Sequence, residues 1–456
     1  MLITISALML LAGCMKVGPD FKKPDMSSQI RESYQHARSN VEAGKITKWW
    51  AAFNDPDLNQ LAENVLSGNL DIRKALAVIS ETRAYFVQSR ADRFPNLSLQ
   101  GEVRRHRILP GIESDVYNLS LPASFEIDLW GRLTRAEEAA LASLAKTEEN
   151  ARIIAQTIVS EAITLYFQIE SLERRIQITA QSIENYRRNL SFIERRYEGG
   201  LTSILDLKQA RRALAQAKAI LPSLRQDIGI KQQKLAVLSG QYPETRSART
   251  QPENYFNLPA LVPSGLPSDL LLRRPDIRAA EATLQALNAK IGVAKASRFP
   301  RITLTGTFGY SSSELDRLFM PGSSLWNIAF GALQPIFDAG RLKAGQRAAE
   351  AQFQQGMADY AKTVLTAFSE VESALLTRKE QMERRERMLD FLSEARSTQK
   401  VAENRYERGL VDYLTVLDAQ QARFQAEESL VLVELAILSN RVTLHRALGG
   451  GWGGPE

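Results

Sequence analysis

The side chains that most often carry chemistry are scarce in this chain of 456 residues: one cysteine, Cys14, and three histidines, His36, His106 and His445. The histidines fall in a polar stretch, an alternating stretch and a late helical stretch, so their spacing offers neither a metal triad nor an acid–base pair. No Gly-x-Ser-x-Gly, His-Glu-x-x-His, phosphate-binding glycine loop or Cys-x-x-Cys occurs. Catalysis, a cofactor, a metal site and redox chemistry are therefore not expected. The 58 basic and 52 acidic residues leave a net charge of +6. The two signs are interspersed with no basic arm, which argues for a solvated helical surface and against a nucleic-acid partner.

What chemistry remains sits at the amino terminus. Met1 to Ala12 is almost wholly apolar and runs through Gly13 into Cys14. The run is too short to span a bilayer as a helix, and small residues before the cysteine read as an export signal over 1–13. Leu11-Ala12-Gly13-Cys14 resembles the lipobox of bacterial lipoproteins, which implies cleavage before Cys14 and a covalent lipid on it. Met15 rather than Asp follows, which by the same resemblance favours the outer membrane. No Lys or Arg precedes the apolar run, a departure from the usual export signal.

The elements behind this segment are written twice. Phe94-Pro95-Asn96-Leu97 matches Phe299-Pro300-Arg301-Ile302 at an offset of 205, and Arg196-Tyr197-Glu198-Gly199-Gly200-Leu201 matches Arg405-Tyr406-Glu407-Arg408-Gly409-Leu410 at 209. In each half a stretch of helical periodicity, 57–93 and 269–298, stops at Phe-Pro. Period-two alternation follows: Leu97, Leu99 and Val103, then Tyr117 to Leu129, then Ile302 to Tyr310 and Trp326 to Phe330. These four strands are about the nine to eleven residues that cross a bilayer at a tilt. From Gly131 to Tyr197 and from Gly340 to Tyr406 there is no proline. Leu165, Ile169, Leu172, Ile176, Thr179, Ile183, Tyr186, Leu190, Ile193 and Tyr197 step by four and three as a coiled-coil seam. A return helix after Gly200 carries Leu207, Ala210, Leu214, Ala217 and Leu221, with a kink or helix junction expected at Pro222. In the second half the seam is weaker, and Arg378, Gln381, Arg385 and Gln399 are expected to face a different neighbour or water.

The resulting division is 1–13 signal; 14–57 linker and part of an equatorial belt; 58–239 first repeat; 240–268 equatorial linker; 269–448 second repeat; 449–456 tail. Each repeat holds a helical stretch, two strands and a long helical hairpin. A helix of roughly 65 residues at about 1.5 Å per residue is close to 100 Å long, which suits a structure that crosses a distance. Four membrane strands cannot close a barrel, because the smallest has about eight and open edges are not tolerated in lipid. The expected fold is thus mainly α with a transmembrane β-barrel, a homotrimer giving twelve strands and a twelve-helix tunnel.

Cys14-Met15-Lys16-Val17-Gly18-Pro19-Asp20-Phe21, Trp49-Trp50, Asp55-Pro56-Asp57-Leu58, Leu272-Arg273-Arg274-Pro275-Asp276-Ile277, Phe337-Asp338-Ala339-Gly340-Arg341 and Ala447-Leu448-Gly449-Gly450-Gly451-Trp452 occur in this order. Together they resemble the TolC superfamily of outer-membrane factors, specifically the OprM/CusC/NodT lipoprotein branch. The resemblance implies an outer-membrane barrel, a periplasmic tunnel, and a closed tip docked on a periplasmic adaptor that serves an inner-membrane RND-type pump exporting drugs or other small toxic compounds. It places adaptor contact at Gly200-Leu201 and Gly409-Leu410, where glycine also suits a helix C-cap. It places a periplasmic gate at Leu414, Asp418 and Gln421. Gln421 stands where the pattern usually has arginine, so an Asp-to-Arg lock does not carry over. A coiled-coil scaffold without a pore has no use for the strands; a TolC-like conduit for type I protein secretion shares every feature above.

Overall fold

The computed structural model describes residues 16–26, 33–36, 48–109, 112–243, 256 and 267–450. Cys14 and the signal 1–13 lie outside the described residues, as do most of the linker 240–268 and the tail from 451 onward. The elements in chain order are α1 (Pro56–Gly68), α2 (Leu70–Ala91), β1 (Asn96–Leu97), β2 (Gln100–Leu109), β3 (Ile112–Ile127), α3 (Arg132–Glu198), α4 (Ile204–Leu238), α5 (Pro267–Arg273), α6 (Pro275–Ala296), β4 (Arg301–Ser312), β5 (Ser324–Leu333), α7 (Arg341–Glu407) and α8 (Tyr413–Ala447). The duplication holds in detail: α3 and α7 each have 67 residues, α4 and α8 each 35. The described residues fall into two compact units, one within 1–28, 76–150 and 276–363, the other within 29–75, 151–275 and 364–456.

The first unit holds an antiparallel sheet in the order β2-β3-β4-β5, with β1 also paired to β3. Its register puts Leu121, Phe308 and Trp326 in one cross-strand row and Phe125, Leu304 and Phe330 in another. By strand alternation these rows share one face, while Ser120, Ser124, Thr303, Thr305, Thr307 and Asn327 belong to the other. Phe308, Trp326 and Phe330 are more than half exposed. Among the described residues one face is therefore an uncovered apolar surface, and β2 and β5 each leave an edge without a strand partner. The expected first strand is split into β1 and β2. Ser98 lies opposite Pro122, which accepts from the Ser98 amide at 3.1 Å but has no N–H to return. No described helix is long and apolar enough to cross a membrane.

Matched aspartates open the long helices. Asp128 accepts from the amides of Leu133 (3.1 Å) and Thr134 (2.8 Å), and Asp338 from those of Gly340 and Leu342, both at 2.9 Å. Glu126 binds Arg132 at 2.9 Å and Arg301 at 2.5 Å, tying the end of β3 to the starts of α3 and β4. The segment just after Cys14 is strapped to the same unit. Lys16 pairs with Glu138, the buried Arg135 reaches Asp20 at 2.9 Å, and Asn288 donates to the Pro19 carbonyl at 2.8 Å.

In the second unit Trp49, Trp50, Leu58, Ile163, Phe167 and Val442 form the centre of one core. The described parts of the three irregular segments meet there: Phe256 packs against this cluster, and Gln156 donates to the carbonyls of Gly449 (3.3 Å) and Gly450 (2.7 Å). The helical stretches 57–93 and 269–298 are each two helices rather than one. Asn69 is the first break: its Oδ1 accepts from the amides of Asp71 and Ile72, capping α2, while Nδ2 donates to the Leu238 carbonyl at 2.8 Å. Arg274 stands at the same place in the second half. Its Nη1 donates to the Ala447 carbonyl at 2.9 Å, and Pro275 begins α6. Leu238 and Ala447 are the last residues of α4 and α8, so each repeat closes its return helix onto its own break.

Along the seam of α3, Leu165, Leu172, Thr179, Ile183, Tyr186 and Ile193 are buried, Ile169, Ile176 and Leu190 are half-buried, and Tyr197, its last step, is 41% exposed. Helix α4 passes through Pro222 without a junction. Pro222 lies on the exposed side, so the carbonyl it leaves unbonded is open to water. The polar seam of α7 meets α8 rather than water: Gln399 is buried, and Arg385 pairs with Glu434 at 3.0 Å and lies over the Phe256 ring.

Candidate functional site

The two turns joining α3 to α4 and α7 to α8 are built alike. Gly200 donates to the Tyr197 carbonyl at 3.0 Å and Leu201 to that of Arg196 at 2.8 Å; Gly409 and Leu410 repeat the pattern onto Tyr406 and Arg405, both at 2.9 Å. This is the Schellman arrangement, which needs a left-handed residue, and both glycines have φ of 72°. The following helices start at once. Ser203 and Asp206 form a reciprocal capping box, and Asp412 accepts from the Thr415 amide at 3.0 Å. The Thr415 hydroxyl and amide hold the Asp412 carboxyl below its usual range. Four orphan backbone groups at the first turn and three at the second are thus satisfied locally, which leaves the leucines free of structural duty. Leu201 is 69% and Leu410 67% exposed.

Leu414, Asp418 and Gln421 share one exposed face of α8, whereas Tyr413, Val416, Leu417 and Gln420 are buried. The structure brings the three gate candidates into one row. Asp418 makes no ion pair among the described residues, which agrees with glutamine at 421. Burial among Tyr186 and Tyr406 pushes the Tyr413 hydroxyl well above the usual tyrosine range, fixing it as a neutral packing group.

Behind this row runs a polar ladder that spacing alone did not reveal. Glu427 receives Arg396 of α7 at 3.1 Å and Arg423 at 3.2 Å; Arg423 reaches Gln399 at 3.4 Å. Glu403 accepts from Gln399 at 2.7 Å and Gln420 at 2.9 Å. On the other side Arg175 of α3 bonds Glu428 at 2.6 Å. Burial pushes the Glu428 carboxyl up and Arg175 pulls it partly back. The sequence signal was Gln399 at a seam position and the i,i+4 pair Arg423 and Glu427. Between α3, α4 and α8 a cavity of about 460 Å³ is lined by Tyr186, Ala213, Leu417, Gln421 and Glu428, so Gln421 stands both in the exposed row and in a cavity wall.

An antiparallel sheet with one apolar face, joined to two matched helical hairpins of this length, defines an outer-membrane channel protein. The chain belongs to the outer membrane efflux protein family, whose model matches residues 61–241 and 266–450. It is 35% identical over 459 aligned residues to the solvent efflux pump outer membrane protein SrpC of Pseudomonas putida, covering 98% of this chain and 97% of that one. It is 32% identical to the protein named "Probable outer membrane lipoprotein SilC" of Salmonella typhimurium, covering 99% and 98%. The solved outer-membrane channel OprN superposes with a TM-score of 0.88 at 30% identity, covering 96% of this chain and 99% of that chain. This protein is therefore an outer-membrane component of an efflux system and not an enzyme.

Proposed function

We propose that three copies close a twelve-stranded barrel and a twelve-helix tunnel, through which small toxic compounds pass from the periplasm to the exterior. The observation that carries this is the sheet. An apolar face suits lipid, and two unpaired edges in one chain require strands from other copies, since open edges do not persist in a bilayer. A lipid on Cys14 anchors each copy beside its own barrel strands, because the strapped segment 16–20 begins two residues later. The exposed turns Gly200-Leu201 and Gly409-Leu410 dock a periplasmic adaptor serving an inner-membrane RND-type pump. Leu414, Asp418 and Gln421 form the closed aperture. The name of SrpC supports apolar small solutes as cargo.

The test is deletion of the gene, followed by minimum inhibitory concentrations for solvents, dyes, antibiotics and metal salts. The expected result is hypersensitivity restored by the wild type. Cys14→Ser is expected to restore it less fully. A deletion strain with an unchanged panel and an altered secreted proteome would replace this reading with protein secretion.

A further inference from the structure

The two turns share a scaffold and differ in charge. Between Arg187 and Arg212 seven cationic side chains face three carboxylates, Glu194, Glu198 and Asp206; in the equivalent window from Arg396 to Gln421 four face four. Two of the first set are already neutralised, Arg187 by Glu184 at 2.6 Å and Arg211 by Glu194 at 3.0 Å. Arg196 lies over the rings of Phe192 and Tyr406. That leaves Arg188, Arg195, Lys208 and Arg212, all exposed and without an ion pair among the described residues; Arg188 bonds Asn185, and Arg195 reaches Ser191 at 3.0 Å. Helix dipoles account for part of this at most. Arg195 in the last turn of α3 is favoured by the carboxyl end, but Arg188 is two turns back, and Lys208 and Arg212 lie near the amino end of α4, where a cation gains nothing. The cations surround an exposed apolar patch of Leu201, Ile204 and Leu205, which are 69%, 51% and 61% exposed.

Building on the adaptor-docking reading above, we infer that the Gly200-Leu201 turn is an electrostatically selective dock for an acidic helical-hairpin tip, and that the Gly409-Leu410 turn is a charge-neutral dock. Apolar contact supplies cohesion at both. The uncompensated cations at the first turn set which partner engages there, and how fast, because rim charges act on encounter and on discrimination more than on total affinity. The two inequivalent surfaces in each copy thus recognise an acidic tip at one and tolerate either charge at the other.

The experiment uses the full-length purified protein in detergent and two synthetic disulfide-stapled helical hairpins. Both carry Gly-Leu at the turn; one has four flanking glutamates, the other four glutamines. Binding is read by fluorescence anisotropy at 50 and 300 mM NaCl. The glutamate hairpin is expected to bind at least tenfold tighter at low salt and to lose most of that advantage at high salt. R188E/R195E/K208E is expected to abolish the advantage, while K400E/R405E/R408E, reversing the same number of charges at the other turn, changes it less than threefold. Equal binding of the two hairpins, or equal effects of the two triple variants, would overturn the inference. Leu201→Asp with Leu410→Asp keeps the two readings apart. Loss of all hairpin binding by this pair, with the triple variants equivalent, retains docking and rejects charge selection; unchanged binding rejects docking itself.

Discussion

Acidification should weaken the second unit through one histidine. His445 is 4% exposed, stacked on Trp49 with ring centroids 5.2 Å apart, and Arg441 lies one turn earlier on the same face of α8. Its position in the last turn favours a charged imidazole by about 1 kcal/mol. Burial and the nearby Arg441 guanidinium outweigh that and take its pKa from 6.5 down to about 4. A lowered folded value means that the neutral ring stabilises the fold fully above about pH 6.5, and that this contribution is lost as pH falls through about 4. The difference of about 2.5 pH units at 1.36 kcal/mol each is worth about 3 kcal/mol per chain. With an unfolding entropy of about 2.1 cal/mol/K per residue, this corresponds to a melting shift of about 3 °C. The assay is tryptophan-fluorescence melting of the purified protein in detergent from pH 7.5 to 4, beside His445→Phe, which keeps the stack and does not titrate. Carboxylate effects are common to both proteins and cancel. Wild type should lose about 3 °C more than the variant across this range; parallel curves would refute the reasoning.

Other perturbations reach other parts of the molecule. Leu414→Ala with Asp418→Ala should raise single-channel conductance in planar bilayers, and wild-type conductance in the double variant would dismiss these residues as the aperture. Glu427→Ala strips both Arg396 and Arg423 of their carboxylate and should cost about 2 kcal/mol, seen as faster limited proteolysis near the α7–α8 turn; an unchanged cleavage rate would show the ladder to be dispensable. Gly200→Ala meets no atom within 4 Å of its new Cβ and bears only the left-handed strain of about 1 kcal/mol. Gly240→Ala would put a Cβ 2.2 Å from the Gly68 carbonyl oxygen and should reduce the amount of folded protein in the membrane several-fold, whereas Gly200→Ala should not.

The long helices and strands were legible because their signals are periodic and uninterrupted. No proline occurs across α3 or α7, and alternation at 302–310 places every apolar side chain of β4 on one face. The breaks at Asn69 and Arg274 were not legible, because the partners that make them breaks, the carbonyls of Leu238 and Ala447, are more than 160 residues away. Of the kink or junction expected at Pro222, the junction is absent for a local reason. Its exposed position lets water take the bond it withholds, so periodicity prevailed over the proline. The polar α7 seam was expected to face a different neighbour or water; Arg385 and Gln399 instead meet α8, where Glu434, Glu403 and Arg423 give them polar partners inside the hairpin. At the candidate site the turn glycines followed from the sequence, and the row of Leu414, Asp418 and Gln421 from the family resemblance together with its spacing of four and three. The charge ladder behind the row depends on which helix lies alongside, and a one-dimensional pattern does not encode that.

The closure of each return helix also constrains how the two halves can diverge. At Asn69 and Arg274 the donor is a side chain but the acceptor is main chain, and every residue type carries that carbonyl. Positions 238 and 447 are therefore free to drift in sequence, as Leu and Ala already have, while position 274 need only keep a donor of adequate reach and position 69 a donor that also carries the acceptor capping α2. The amide and the guanidinium are two solutions to one demand, and the longer one has gained a second arm onto Glu370 at 2.8 Å. A gene duplication built on such joints can lose nearly all resemblance between its copies and still fold both the same way.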